Sequence, residues 1–209
     1  MRPVQYSFGL IWLLMLLASV FLSGITLGYY SFCTDCNFLL RKQELISNPF
    51  WMTAFYIHIS GGLLALLTGP WQFIPRFRRR YLSLHRVLGK IYVAGILFVA
   101  GPSGLFMAFY AEGGWVGMLG FTLMASLWLW STFMAYDTIR NRDVMAHRDW
   151  MTRSFALTFA AVTLRAWVFG STQFLHFDAA WVEASSAWIS WIPNLIVAEI
   201  LLRFFSKNI

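Results

Sequence analysis

Charge is the scarcest ingredient of this sequence. Of 209 residues, 12% are charged, and nine acids stand against sixteen lysines and arginines. A soluble domain carries about 25% charged residues, so the composition excludes an ordinary water-soluble globule. Cysteine is nearly absent as well, with Cys33 and Cys36 alone. No second pair exists to complete a four-cysteine zinc site. Asn37 stands where covalent haem attachment would need a histidine after Cys-x-x-Cys. The pair therefore reads as a disulfide or a transient redox couple, if its loop faces an oxidising compartment. There is no glycine-rich nucleotide loop, no placeable nucleophile–histidine–acid set and no polar stretch long enough for a soluble catalytic domain. The net charge of +7 does not call for nucleic acid, because the bases cluster in a few gaps between apolar runs.

Those apolar runs are what the chain has in abundance. Hydrophobic residues make up 59% and aromatics 19%, with 11 Trp suited to the two membrane interfaces. A membrane span needs about 20 mostly apolar residues. Six segments qualify, roughly 8–30, 50–74, 88–110, 114–136, 151–173 and 184–205. The first is too long for a signal-peptide core and lacks an A-x-A site, so it reads as an uncleaved span. The expectation is one all-α integral membrane domain over 1–209, a six-transmembrane-helix bundle of antiparallel neighbours. The gap at 75–90 carries Arg76, Arg78, Arg79, Arg80, Arg86 and Lys90 without an acid. The gap at 137–150 adds Arg140, Arg142 and Arg148, and the ends add Arg2, Arg203 and Lys207. The alternate gaps hold only Arg41 and Lys42. Positive-inside bias puts both termini in the cytoplasm and the cysteines outside.

One stretch is out of keeping with lipid. A helix turns about 100° per residue, so His147, Ser154, Thr158, Arg165, Thr172 and His176 fall within about 20° of one line on the fifth span. Arg153 lies about 120° away. A charge inside a span costs at least about 2.5 kcal/mol and usually has a partner. His58 on the second span lies at the depth of Arg165. Glu199 has the opposite charge but sits about 10 Å too deep. His58, Gly62, Ala65, Gly69 and Gln72 lie within about 40° of one another, a face of small residues that admits another helix or a flat cofactor.

The four histidines then suggest a chemistry. His85 and His147 stand at the inner side on the third and fifth spans. His58 is buried by position, and His176 lies at the outer edge. Paired histidines from facing helices hold b-type haem in membrane bundles. Arg86, Lys90, Arg148 and Arg153 would face its propionates. A metal ion at His85 and His147, completed by Asp143 or Asp149, is the alternative.

The segments HISGGLLALLTGPWQFIP, LHRVLGKIYVAG and AHRDWMTRSFALTFAAVTLRAW resemble an uncharacterised family of bacterial multi-pass membrane proteins, catalogued as a domain of unknown function. The resemblance covers residues 58–167, including His58, Leu84 to Gly89, His147 to Arg153, Leu164 and Arg165. It implies the six-span topology and a bacterial inner-membrane location, but no activity. His176, Cys33, Cys36 and Glu199 fall outside it. Helix number and histidine placement also give a broader likeness to di-haem b-type membrane cytochromes, which is analogy.

The leading expectation is a b-type haem or quinone-linked electron carrier. In it His85 and His147 bind iron, His58 serves as a further ligand or quinone partner, and Arg165 holds a propionate or quinone oxygen. Its partners are membrane lipid and a redox partner or quinone, with no nucleic acid. Two other classes stay open. One is a small anion/proton-coupled transporter, with solute at Arg165 and His58 and the proton on Glu199, although no inverted repeat is visible. The other is a non-enzymatic assembly subunit in which Arg165 is a structural pin.

Overall fold

Six apolar runs become six helical spans. The computed structural model describes residues 2–36 and 38–206, without the side chains of 2–8 and 205–206. Asn37, Lys207 and the Arg2 side chain, used above, lie outside the described residues. The spans are Gly9–Ser31, Pro49–Phe73, Leu82–Ala108, Gly114–Arg140, Val144–Gln173 and Ala179–Phe204. Among the described residues there is no strand, so the expected all-α six-helix bundle is the observed one.

The boundaries differ from expectation at three places. The third span begins at Leu82, the fifth at Val144 and the sixth at Ala179, several residues before the apolar runs. Hydropathy marks where lipid begins, whereas caps mark where the helix begins. Asp143 accepts from the backbone N–H of Ala146 at 2.9 Å, and Asp178 from that of Ala180 at 2.9 Å, each satisfying an orphan donor of the first turn. Asn48 does the same for the second span, ahead of Pro49 at the first helical position. The consequence matters for the site: His85 and His147 ride on helices rather than in loops.

Three spans are irregular inside; the sixth turns at residues 190–191 between the helices Ala179–Ile189 and Ile192–Ser206. The third passes through a π-helical stretch at Gly95–Ala100, just before Pro102, whose missing N–H loosens the preceding turn. There Gly61 of the second span comes so close that a Cβ on it would stand 2.7 Å from the Ala100 nitrogen. The fifth span breaks at Phe159, between the helices Val144–Thr158 and Ala160–Gln173. Asn194 of the sixth span reaches into this break, donating to the Ala156 carbonyl at 3.2 Å and to Thr163 Oγ1 at 3.0 Å. A side chain inserted into the helical ladder is a recognised cause of such interruptions.

The bundle has two chemically distinct ends. The basic end carries the short helix Pro75–Arg80 and the tight connection after Arg140. The disulfide end carries the loop of Cys33 and Cys36, which are joined. That loop packs on an aromatic cluster of Tyr29, Trp51 and Phe55 with Leu39 and Ile59. It is also tied to the rest of that end: Arg41 pairs with Glu112 at 2.5 Å and with Glu183, and Lys42 Nζ donates to the Tyr110 carbonyl at 2.7 Å. The main core lies among spans two to six, around Tyr92, Ile96, Trp128 and Phe155.

Candidate functional site

The polar stripe of the fifth span resolves into three parts. Its middle is a closed hydrogen-bond network. The Tyr92 hydroxyl lies 3.0 Å from Ser154 Oγ and 2.7 Å from Thr158 Oγ1. Trp128 Nε1 donates to Thr158 Oγ1 at 3.0 Å, and Thr132 Oγ1 meets Ser154 Oγ at 2.7 Å. All of these side chains are buried and none is left unpaired. A satisfied buried network specifies how helices seat, and this one locks spans three, four and five together. Tyr92, Trp128 and Thr132 were not singled out by sequence, because each looks like ordinary core or interface.

The basic end holds a histidine pair. His147 Nδ1 lies 2.7 Å from the Ala135 carbonyl of the fourth span. A carbonyl only accepts, so Nδ1 carries the hydrogen and the neutral ring has a bare Nε2. His85, on the third span, has a buried Nδ1 with no hydrogen-bond partner. Its ring lies within electrostatic range of His147, Arg78 and Arg86. Neither acid considered as a third ligand joins them. Asp143 caps its helix, and Asp149 lies 3.3 Å from Arg148. Among the described residues, the group of three or more close metal-type ligands is Cys33, Asp35 and Cys36, whose sulfurs are already bonded to each other. Arg153 was expected to face propionates. It instead grips Glu199 with two hydrogen bonds, at 2.5 and 3.1 Å, and lies over the Trp150 ring. Glu199 is therefore partner to Arg153 and not to Arg165.

The third part opens toward the disulfide end. Near the basic end, spans two and five touch: a Cβ on Gly69 would lie 2.6 Å from the Phe155 ring. Past the break at Phe159, span five leaves span two and packs on the sixth span, with a lighter contact to the first. His58 and Arg165 stand on these diverging parts of the two spans, within electrostatic range of each other. His58 Nδ1 is held by the Ala100 carbonyl at 2.8 Å, its ring edge-on to Trp128. Gly104 makes room for it, since a Cβ there would stand 2.7 Å from Nδ1. Although protein crowds the ring, His58 is only half-buried. One turn on, a Cβ at Gly62 would meet nothing within 4 Å. Arg165 is likewise surrounded by protein yet exposed to a water-sized molecule. Its Nη1 donates to the Ala161 carbonyl at 3.0 Å, and no carboxylate among the described residues pairs with it. His58 and Tyr29 lie within its electrostatic range. The arrangement puts a guanidinium with no paired carboxylate among the described residues within electrostatic range of an imidazole held through Nδ1.

The outermost stripe residues take no part. Thr172 is exposed, and His176 is exposed beyond the helix end, with φ of 52°. Of the expected small face, Ala65, Gly69 and Gln72 are buried in helix packing, and Gly62 alone faces open space.

A family model described as "Predicted membrane protein (DUF2306)" matches residues 55–202. A protein of Aspergillus versicolor described as Ava biosynthesis cluster protein G is 32% identical over 88 residues, 42% of this chain and 24% of that protein. The matched part thus spans about a quarter of that relative's length. No solved structure matches the chain. The family match takes in His58, His85, His147 and Arg165. It extends past residue 167 to include His176 and Glu199, and it leaves Cys33 and Cys36 outside.

Proposed function

The chain belongs to the DUF2306 family of predicted membrane proteins, and from that premise we propose that it is an electron-transfer protein holding one b-type haem at its basic end. The observation that carries this reading is the pair His85 and His147. They come from different spans and stand within electrostatic range of each other. One ring is anchored through Nδ1 to a backbone carbonyl, the second-shell bond that orients a metal-ligating imidazole. The other has a buried ring nitrogen with nothing to bond, and such an orphan asks for a ligand. Arg78 and Arg86 supply charge for propionates. Two imidazoles alone suit a haem iron, whose other four ligands come from the macrocycle. They do not complete a zinc site.

The membrane we propose is the bacterial inner membrane, with the basic end in the cytoplasm. The charge bias and the disulfide at the opposite end support that orientation. The transporter reading is weakened by Glu199, its proton carrier, being held by Arg153.

The test is a visible spectrum of protein purified in mild detergent from haem-replete cells, before and after dithionite. A Soret band with sharp reduced α and β bands is expected, lost in His85→Ala and in His147→Ala and kept in His176→Ala. Colourless protein from such cells overturns the reading.

A further inference from the structure

At the end opposite the histidine pair, the connection between the first and second spans holds a chemistry that the haem does not use. We infer that Cys33 and Cys36 are a thiol–disulfide exchange site, and that Asp35 decides which of the two sulfurs reacts. Its partners are dithiols and disulfides of proteins on that face of the membrane. The inference is independent of the haem.

The bond is poorly placed for a staple. It joins residues three apart in sequence. Both belong to one connection, between the short helices Gly28–Ser31 and Leu39–Lys42. So short a loop leaves a cross-link little chain entropy to remove. The loop is also held without it. Phe32 N–H donates to the Tyr29 carbonyl at 3.0 Å, and Leu39 N–H to that of Cys36 at 3.1 Å. The Tyr29 hydroxyl accepts from the Phe38 N–H at 3.2 Å. Gln43 Nε2 donates back to the Thr34 carbonyl at 2.8 Å. Arg41 and Lys42 then fix the end of the loop to Glu112, Glu183 and the Tyr110 carbonyl. Once opened, the two sulfurs therefore stay side by side, ready to close again.

The site is reachable and unsymmetrical. Thr34 and Asp35 are exposed, and both cysteines partly so. Asp35 Oδ1 lies 3.0 Å from Cys33 Sγ, and both sulfurs and this carboxylate lie within 4.8 Å of one another. A carboxylate that close disfavours a thiolate. In the dithiol, Cys33 therefore keeps its proton and donates S–H to Asp35, while Cys36 carries the reactive thiolate. Cys36 attacks a partner disulfide, whose S–S bond breaks, and a mixed disulfide forms. Cys33 passes its proton to Asp35 as its sulfur attacks Cys36 Sγ. The partner leaves as a dithiol, having gained two electrons and taken up the two protons that Cys33 and Cys36 shed. The structure holds the disulfide product of that step. The same steps in reverse, against a partner dithiol, open it again.

The experiment uses the full-length protein in nanodiscs, at neutral pH and without oxygen. It is equilibrated with reduced and oxidised glutathione in graded ratios, and the disulfide is read by mass spectrometry after alkylation. The bond is expected to pass from closed to open within that range, at the same ratio in His85→Ala, so failure here and failure of the haem reading are distinguishable. A structural disulfide resists the glutathione pool, so a bond closed at every ratio overturns the inference. Single-cysteine variants then test the asymmetry against hydroxyethyl disulfide, a neutral probe. One charge about 3 Å away in water lowers the thiolate share about tenfold, and the more basic thiolate regains part of this in nucleophilicity. Cys36 in Cys33→Ser is therefore expected to react about threefold faster than Cys33 in Cys36→Ser. Adding Asp35→Asn to Cys36→Ser is expected to remove most of that difference. Equal rates that ignore Asp35→Asn overturn the inference. So does a melting temperature of Cys33→Ser far below that of the wild type, which would make the bond a staple after all.

Discussion

At the scale of single residues, neighbouring glycines of the second span do opposite things. A Cβ on Gly61 meets the backbone of the third span, whereas one on Gly62 meets nothing. Backbone cannot move aside as a side chain can. Gly61→Ala is expected to cost about 1–3 kcal/mol by overpacking, and Gly62→Ala almost nothing. Thermal unfolding of the two variants in the same detergent checks this, and equal melting temperatures would refute it. His58 and Arg165 were legible because a polar group amid apolar residues stands out at any register. The partner of Glu199 was not. Arg153, about 120° off the stripe, is expected from sequence to face propionates, whereas it pairs with Glu199 of the sixth span.

At the scale of elements, the helices were legible and their ends less so. A 20-residue apolar run admits one reading, but a charged turn at its edge continues the helix without changing hydropathy. The signals were present as Asn48 before Pro49, Asp143 and Asp178. The break at Phe159 had no local sign, because Asn194 lies 38 residues beyond the Ala156 carbonyl it satisfies. The network around Tyr92 makes the third, fourth and fifth spans one unit. Tyr92→Phe removes a hydroxyl that meets both Ser154 and Thr158. It is expected to cost about 1–3 kcal/mol, read as a lower denaturant midpoint. An unchanged midpoint would mean that water takes over the vacated bonds.

At the scale of the whole molecule, six spans bring the basic connections to one end and the disulfide loop to the other. With the basic end in the cytoplasm, a fluorescent protein fused behind the sixth span is expected to glow and an alkaline phosphatase at the same point to stay silent. The reverse pattern would invert every assignment of sides. The arginine-rich gaps made the separation of the two ends legible from sequence. The divergence of spans two and five, touching at one height and parting at another, was not legible.

That divergence has a mechanical meaning. Gly69 against Phe155 is a rivet, and the ten or eleven residues from there to Arg165 and His58 are arms about 15–16 Å long. Tilting one arm by about 5° changes the gap at its tip by about 1.4 Å, half the width of a water molecule. Helices tilt to match the thickness of the bilayer around them, and a span pinned at Gly69 and Phe155 carries such a tilt to its far end.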